Sequence, residues 1–331
     1  MKTASLPRRG ALALALAAGA TLLAAAPAAF AQAPAYPTKP ITIVVGYPAG
    51  GSTDLVGRMV GTELSNRLGQ PVVIENLGGA GGSIGAQKVA NAQPDGYTLL
   101  VGASNELAIT NLVNKKIKYG IKDFTAIGMV SSQPMVLVAS PSAGVKTAAE
   151  FTQLVAKNPG KFSYGSSGVG TALHLTGEMV KEQGKLFMTH IPYRGVAPLT
   201  NDLIGNNLEF GVFVLSSGLP HIRSGKVIAL GTSEAKRSAI TPDIPALSET
   251  PQFKNVDMTI WFALMAPANL PKPIHEKLKK ALNDTLQSPD FRKKMEASGS
   301  VVASPTVDID KYLGSEIAKY QKIVQFAKIE E

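Results

Sequence analysis

Cysteine is missing from all 331 residues, which excludes disulfides, thiolate chemistry and cysteine-bound metal, and permits an exported location without demonstrating one. Histidine is scarce. His174, His190, His221 and His275 fall at no i, i+4 spacing, so no metal site is expected. Aromatic residues make up 6% of the chain, with Trp261 the single tryptophan. The net charge of +9 shrinks once the N-terminal Lys2, Arg8 and Arg9 are set aside, and a mild basic excess with few aromatics gives no footing to a nucleic-acid partner. Enzyme signatures are absent too. No G-x-x-x-x-G-K-[ST] phosphate loop occurs, and GVGTAL lacks the third glycine of a dinucleotide fingerprint. The run GSSGVG, around Ser166 and Ser167, does not complete a G-x-S-x-G elbow. The chain therefore reads as no enzyme and needs no cofactor.

What is present begins with an address. Three basic residues precede an apolar stretch over residues 11–26, and Ala29-Phe30-Ala31 makes a small-x-small cleavage site. Residues 1–31 are thus expected to be a signal peptide, with a mature periplasmic chain starting at Gln32. An uncleaved anchor is the alternative, disfavoured by the short, alanine-rich core. Pro7 and Gly10 weaken the match of Arg8-Arg9 to a twin-arginine signal. No later segment is long and apolar enough to span a bilayer.

Three glycine-rich turns, YPAGGSTD (47–54), NLGGAGGS (76–83) and YGSSGVGT (164–171), each lie between a β-like and a helix-like run. Turns of this kind present backbone N–H groups at the positive end of a helix, a seat for a small carboxylate or phosphate. ITIVV, PVVIE and YTLLVG alternate with helical patterns carried by Leu55, Met59, Val60, Leu64 and Leu68 and by residues 84–91. A second alternating series runs from MVLVAS through FSYGSS, LEFGVFV and VIALGT, so two α/β domains with parallel, doubly wound sheets are expected. The tail is helical, over 274–286, 291–297 and 309–326. It is expected to pack on the first domain, with the segment 256–266 recrossing the boundary near Trp261.

Six runs resemble the extracytoplasmic solute receptors of tripartite tricarboxylate transporters, the Bug family: YPTKPITIVVGYPAGGSTDLVGR, IENLGGAGGSIGAQKVANAQPDGYTLLVG, NPGKFSYGSSGVGTALHLTGE, HIPYRGVAPLTNDL, LPHIRSGKVIALGTS and RSAITPDIPALSET. The resemblance covers nearly all of the mature chain, in order. It implies a class II periplasmic-binding-protein fold, two lobes joined by two crossings, here 32–135 with 258–331 and 136–257. It also implies a small carboxylate held in the cleft by a monomeric receptor that serves a two-subunit membrane permease. A ligand sensor that presents its closed form to a membrane protein is the rival role, and the sequence does not separate the two.

By that resemblance the first two turns hold one carboxylate end, partly through water, using Tyr47, Ala49, Gly50, Gly51, Ser52, Asp54, Ala80 and Gly81, with Ser104 beside them. The opposite lobe contributes Ser166, Gly170, Thr171, His174 and Tyr193. Phe213 stands near a place where many relatives carry aspartate, which tilts the expectation away from amino-acid ligands. Tyr47 replaces a common phenylalanine. The bland readings compete at several positions: Ser52 as a cap, Asp54 as a dipole partner with Arg58 four residues on, His174 as a wall residue, and Phe213 as core. His190 and His221 read as structural, and Arg194 as an aid to a second acidic group.

Overall fold

The computed structural model describes residues 36–327, so the expected export signal lies outside the described residues. The first strand, β1 (Ile41–Val45), pairs in parallel with β2 (Val72–Asn76) and β3 (Thr98–Ala103). Helix α1 (Ser52–Leu68) connects β1 to β2, and α2 (Ser83–Ala90) leads towards β3. Val56, Val60 and Leu64 form the buried face of α1, while Leu55, Met59 and Leu68 lie at its edge. The shift from the expected stripe has a steric cause. Gly57 and Gly61 let α1 settle onto the sheet, where an added Cβ would come 2.8 Å from Val45 and 3.0 Å from Ile74. The helix stops where Gly69 turns left-handed (φ 70°) and its N–H caps the carbonyl of Ser65.

After a short helix, α3 (Thr110–Val113), the 16-residue strand β4 (Phe124–Ala139) serves both halves of the molecule. Residues 124–134 pair with β9 (Thr259–Pro267), and residues 135–139 pair with β7 (Phe210–Val214) and β8 (Ile228–Thr232). The second half adds β5 (Ser163–Ser166) and β6 (Thr189–Pro192), parallel to each other, with β5 also parallel to β7. It is wound by α4 (Ala148–Lys157), α5 (Ala172–Gly184), α6 (Val196–Ile204) and α7 (Leu215–Arg223). The expectation of purely parallel sheets needs correction. β9 runs antiparallel to β3 and β4, and β4 antiparallel to β7 and β8, because these strands carry the chain directly between halves without a helical crossover.

The tail forms α8 (Lys272–Leu286), α9 (Pro289–Ala297) and α10 (Ile309–Ala327), with the short β10 (Val301–Val302) paired to β4. α8 packs on α1 and β4, as expected for a tail on the first half. α10 touches both halves: it packs on the segment after β3 and on α5. The chain is a mixed α/β protein with a curled sheet, and among the described residues no helix is long and apolar enough to cross a membrane.

Candidate functional site

The first glycine turn is braced from below by Asp54. Its Oδ2 accepts from the Gly50 N–H (2.9 Å) and Arg58 Nε (3.0 Å), and its Oδ1 accepts from Asn76 Nδ2 (2.9 Å). Arg58 completes an ion pair at 2.9 Å, the helix-face pairing expected from the spacing. Burial pushes this carboxyl up, but the bonds from Arg58, Gly50 and Asn76 outweigh it and hold the group below the usual carboxylate range. Asp54 thus braces the turn, the structural role weighed for it above, and its oxygens are occupied by Gly50, Arg58 and Asn76.

Above this brace the start of α1 is open. Gly51 precedes the helix with extended backbone (φ −83°, ψ 171°) and no side chain caps the helix, whose first internal bond runs from Leu55 to Gly51. Ser52 and Thr53, the first residues of the uncapped helix, line a cavity together with Gly51, Tyr47 and Asn105. Ala49 and Gly50, expected at the ligand, are exposed, and the Gly50 N–H belongs to Asp54.

The second turn bends back over Tyr47 through three left-handed residues, Ala80, Gly81 and Gly82 (φ 47°, 63° and 95°). The Tyr47 hydroxyl donates to the Gly81 carbonyl at 2.6 Å and accepts from Asn105 Nδ2 at 2.8 Å. An added Cβ at Gly82 would come 2.8 Å from Glu106 Oε2 and 2.9 Å from that hydroxyl, so glycine is required there. Tyr47 thus lines the cavity while its hydroxyl ties the second turn to Asn105. Ser104 is fully buried and sits behind the site, near Tyr320 rather than in the cavity wall.

The third turn faces this pair from the other half, and the amides of Gly168, Gly170 and the start of the following helix are bonded to side chains. Gly168 N–H donates to Ser166 Oγ (3.2 Å), Gly170 N–H to His174 Nδ1 (3.2 Å), and His174 N–H to Thr171 Oγ1 (3.3 Å). Ala172 N–H crosses the cleft to Asn105 Oδ1 (2.8 Å). Ser166 also bonds His190 Nε2 at 2.7 Å, and His174 stacks on His190 with centroids 3.8 Å apart. Burial holds both imidazoles neutral, lowering His174 to about 4 and His190 to about 3. Ser166, Gly170, Thr171 and His174, expected at the ligand, bond one another and their neighbours and hold the turn in shape, while Ser167, Gly168 and Val169 line the hollow. His190 is structural, as expected.

Tyr193 lines the same hollow but donates its hydroxyl to Asp202 Oδ2 at 2.6 Å. Phe213, weighed above as a specificity residue or as core, lies in the core. It packs with Val136, Leu199 and Leu203, fully buried, and strand alternation turns Val214 instead into the cavity wall. Thr53 and Ser167 belong to the expected turns, whereas Asn105 and Val214 line the cavity without having been expected there. Asn105 and Glu106 directly follow Ser104, but no local pattern says that their side chains turn back under the glycine turns.

The inner cavity offers about 20 Å³ of solvent-sized space, room for one water, and the outer hollow, flanked by Arg194, about 200 Å³. The outer hollow falls short of the roughly 300–1,000 Å³ of drug-sized pockets, which suits a small solute, while the inner cavity admits only water. Among the described residues no cluster of three or more acids or histidines is arranged to hold a metal ion.

The profile of the family described as "Tripartite tricarboxylate transporter family receptor" matches residues 56–329. Among solved structures, "R. palustris Rpa4515 with adipate" is 29% identical, covering 89% of this chain and 99% of its own, at a TM-score of 0.86. The "periplasmic binding protein BugD" is 33% identical with the same coverage of 89% and 99%, at a TM-score of 0.84. MatC from Rhodopseudomonas palustris, with bound malate, is 28% identical over 87% of this chain and 100% of its own, at a TM-score of 0.81. The fold is that of the periplasmic binding proteins, and such a chain is a receptor rather than an enzyme.

Proposed function

The chain belongs to the tripartite tricarboxylate transporter family of receptors, and on that footing we propose that it captures one small carboxylate in the cleft and delivers it to a two-subunit membrane permease. The uncapped start of α1, opening into a cavity between the two halves, carries this reading. One carboxyl group sits in the outer hollow beside the backbone of the second turn and reaches Ser52 and Thr53 through a water in the inner cavity, while Ser167, which lines both, closes from the opposite side. Arg194, at the rim, serves a second acidic group. Adipate and malate in the related structures support a carboxylate as the ligand class.

The energetics are sufficient. Charge-assisted hydrogen bonds contribute about 1.5–3 kcal/mol each and a helix terminus up to ~2 kcal/mol. Three or four such contacts, less ordering costs, reach the roughly −8 kcal/mol of a micromolar receptor. The lobes proposed to close on the ligand are 32–135 with 258–331 and 136–257, and residues 1–31 are proposed to be removed on export to the periplasm. The mature receptor is proposed to act as a monomer.

The test is a thermal-shift panel of mono-, di- and tricarboxylates on the mature chain, followed by fluorescence titration. Trp261 is a suitable reporter, because it is fully buried, bonds Glu316 through Nε1 at 3.2 Å, and neighbours Ile260 in the cavity wall. A melting temperature that rises with a carboxylate, with a matching emission change, supports the proposal. No shift across the panel sinks it.

A further inference from the structure

Beneath the second glycine turn lies an acid that the proposed seat does not touch. Glu106 is fully buried: Oε1 accepts from the Ala103 N–H at 2.7 Å, and Oε2 lies 3.2 Å from the Tyr47 hydroxyl. That hydroxyl has one proton and two acceptors nearby. The Gly81 carbonyl, at 2.6 Å, has no hydrogen to give and takes the tyrosine proton. Asn105 Nδ2 supplies one hydrogen to the phenol oxygen at 2.8 Å. A carboxylate at Oε2 would then face an oxygen with no hydrogen left for it, whereas a carboxylic acid there donates. Asn105 carries the chain onward, its Oδ1 accepting from Ala172 N–H across the cleft.

We propose that Glu106 is a proton-carrying positioning residue: as the neutral acid it donates to Tyr47 and aligns the hydrogen-bond chain through Asn105 to Ala172, and loss of its proton weakens carboxylate binding. The inference rests on the cleft being a carboxylate seat, as proposed above.

The surroundings favour the neutral form. Burial pushes the Glu106 carboxyl up to about 7, against the bonds from Ala103 and its own amide. Two titratable groups face it: Tyr47, and Tyr119, whose hydroxyl donates to the Glu106 backbone carbonyl at 2.8 Å. Burial first, then the nearby Glu106 charge, keeps both phenols protonated far above neutrality. The second turn presents the backbone of Gly82, and β3 presents the Ala103 N–H. α10, packed on the same segment, directs Glu316 to Trp261 and Tyr320 to Thr259. Among the described residues no lysine, arginine or histidine forms an ion pair with Glu106. An ionised Glu106 and a ligand carboxylate, separated by Tyr47 and Asn105 in a water-poor site, repel each other. By linkage the ligand tightens the acid's hold on its proton, and the proton tightens ligand binding by the same factor.

The test has two arms. Carbon-13 NMR of the ligand-free protein follows the Glu106 carboxyl with pH, and calorimetry at pH 6 and pH 8 measures affinity for whichever carboxylate gives the largest melting shift. The expected midpoint is near 7. Affinity is expected to fall roughly tenfold from pH 6 to pH 8, with about one proton taken up per ligand bound at pH 8, as single-site linkage requires. Glu106→Gln, which keeps a neutral donor, is expected to bind equally at both values. A midpoint below 5 overturns the inference whether or not a ligand is found, and so does a flat wild-type affinity or a Glu106→Gln protein that keeps the wild-type slope. If no carboxylate binds, the transport proposal fails by itself while the NMR midpoint still decides the state of Glu106. The wild-type arms suffice should the variant not fold.

Discussion

The first and third glycine turns look alike as sequence and do opposite things with their amides. In residues 47–54, Asp54 reaches back to hold Gly50, and the start of α1 is left uncapped towards the cavity. In residues 165–171 Ser166 and His174 accept the N–H groups of Gly168 and Gly170, while Thr171 and Asn105 cap the following helix by accepting those of His174 and Ala172. A glycine run thus signals a strand-to-helix corner, but only the disposition of nearby acceptors decides whether that corner can hold an anion. Polar neighbours of the same kinds empty one turn and fill the other.

The sharpest test of that contrast is a side chain added to each turn. Gly51→Val is expected to weaken carboxylate binding at least 100-fold by calorimetry, on the order of 3 kcal/mol for blocked charge-assisted contacts, with a melting temperature within a few degrees of wild type. The fold tolerates it because an added Cβ meets only the Pro48 carbonyl at 3.7 Å, at an ordinary φ. Gly170→Ala should do the reverse. Its Cβ would come 2.2 Å from Val113 at φ +67°, so about 1–3 kcal/mol of stability is lost in urea unfolding. Equal effects of the two substitutions on binding would erase the distinction drawn here.

Two acid-side predictions follow in size. His174 and His190 sit below their ordinary value, so between pH 6.5 and about 4 the unfolded chain binds protons that the folded one refuses. Stability is expected to fall over that window, less steeply in His190→Gln, as read by melting temperature against pH. Asp54 is also depressed, so its contribution is present above the ordinary carboxylate range and lost at lower pH, as the folded group finally protonates. Asp54→Asn should flatten that lower limb. The smallest effect is expected from Tyr193→Phe, which removes the bond to Asp202 at the cavity rim and should cost about 1 kcal/mol of stability while leaving carboxylate affinity nearly unchanged.

Much of the architecture was legible because it depends on local periodicity. α4 spans the expected residues 148–157, and α10 agrees with expectation to within a residue at its C-terminal end. The antiparallel placement of β9 and β4 was not legible, since a strand carries no mark of which neighbour it will meet. Of the residues the resemblance implied, Tyr47, Gly51 and Ser52 line the inner cavity, whereas Phe213 lies in the core, because strand parity decides which side chain faces inward.

The amino-acid order alone determined that strands and helices alternate, that glycine corners fall between them, and which runs mark the receptor family, because spacing and backbone permissiveness are properties of short segments. Only the tertiary structure decided which corner stays open. Hydrogen-bond acceptors reach those amides from residues as distant in the chain as Asn105 is from Ala172, and a buried acid such as Glu106 acquires its character from the groups folded around it.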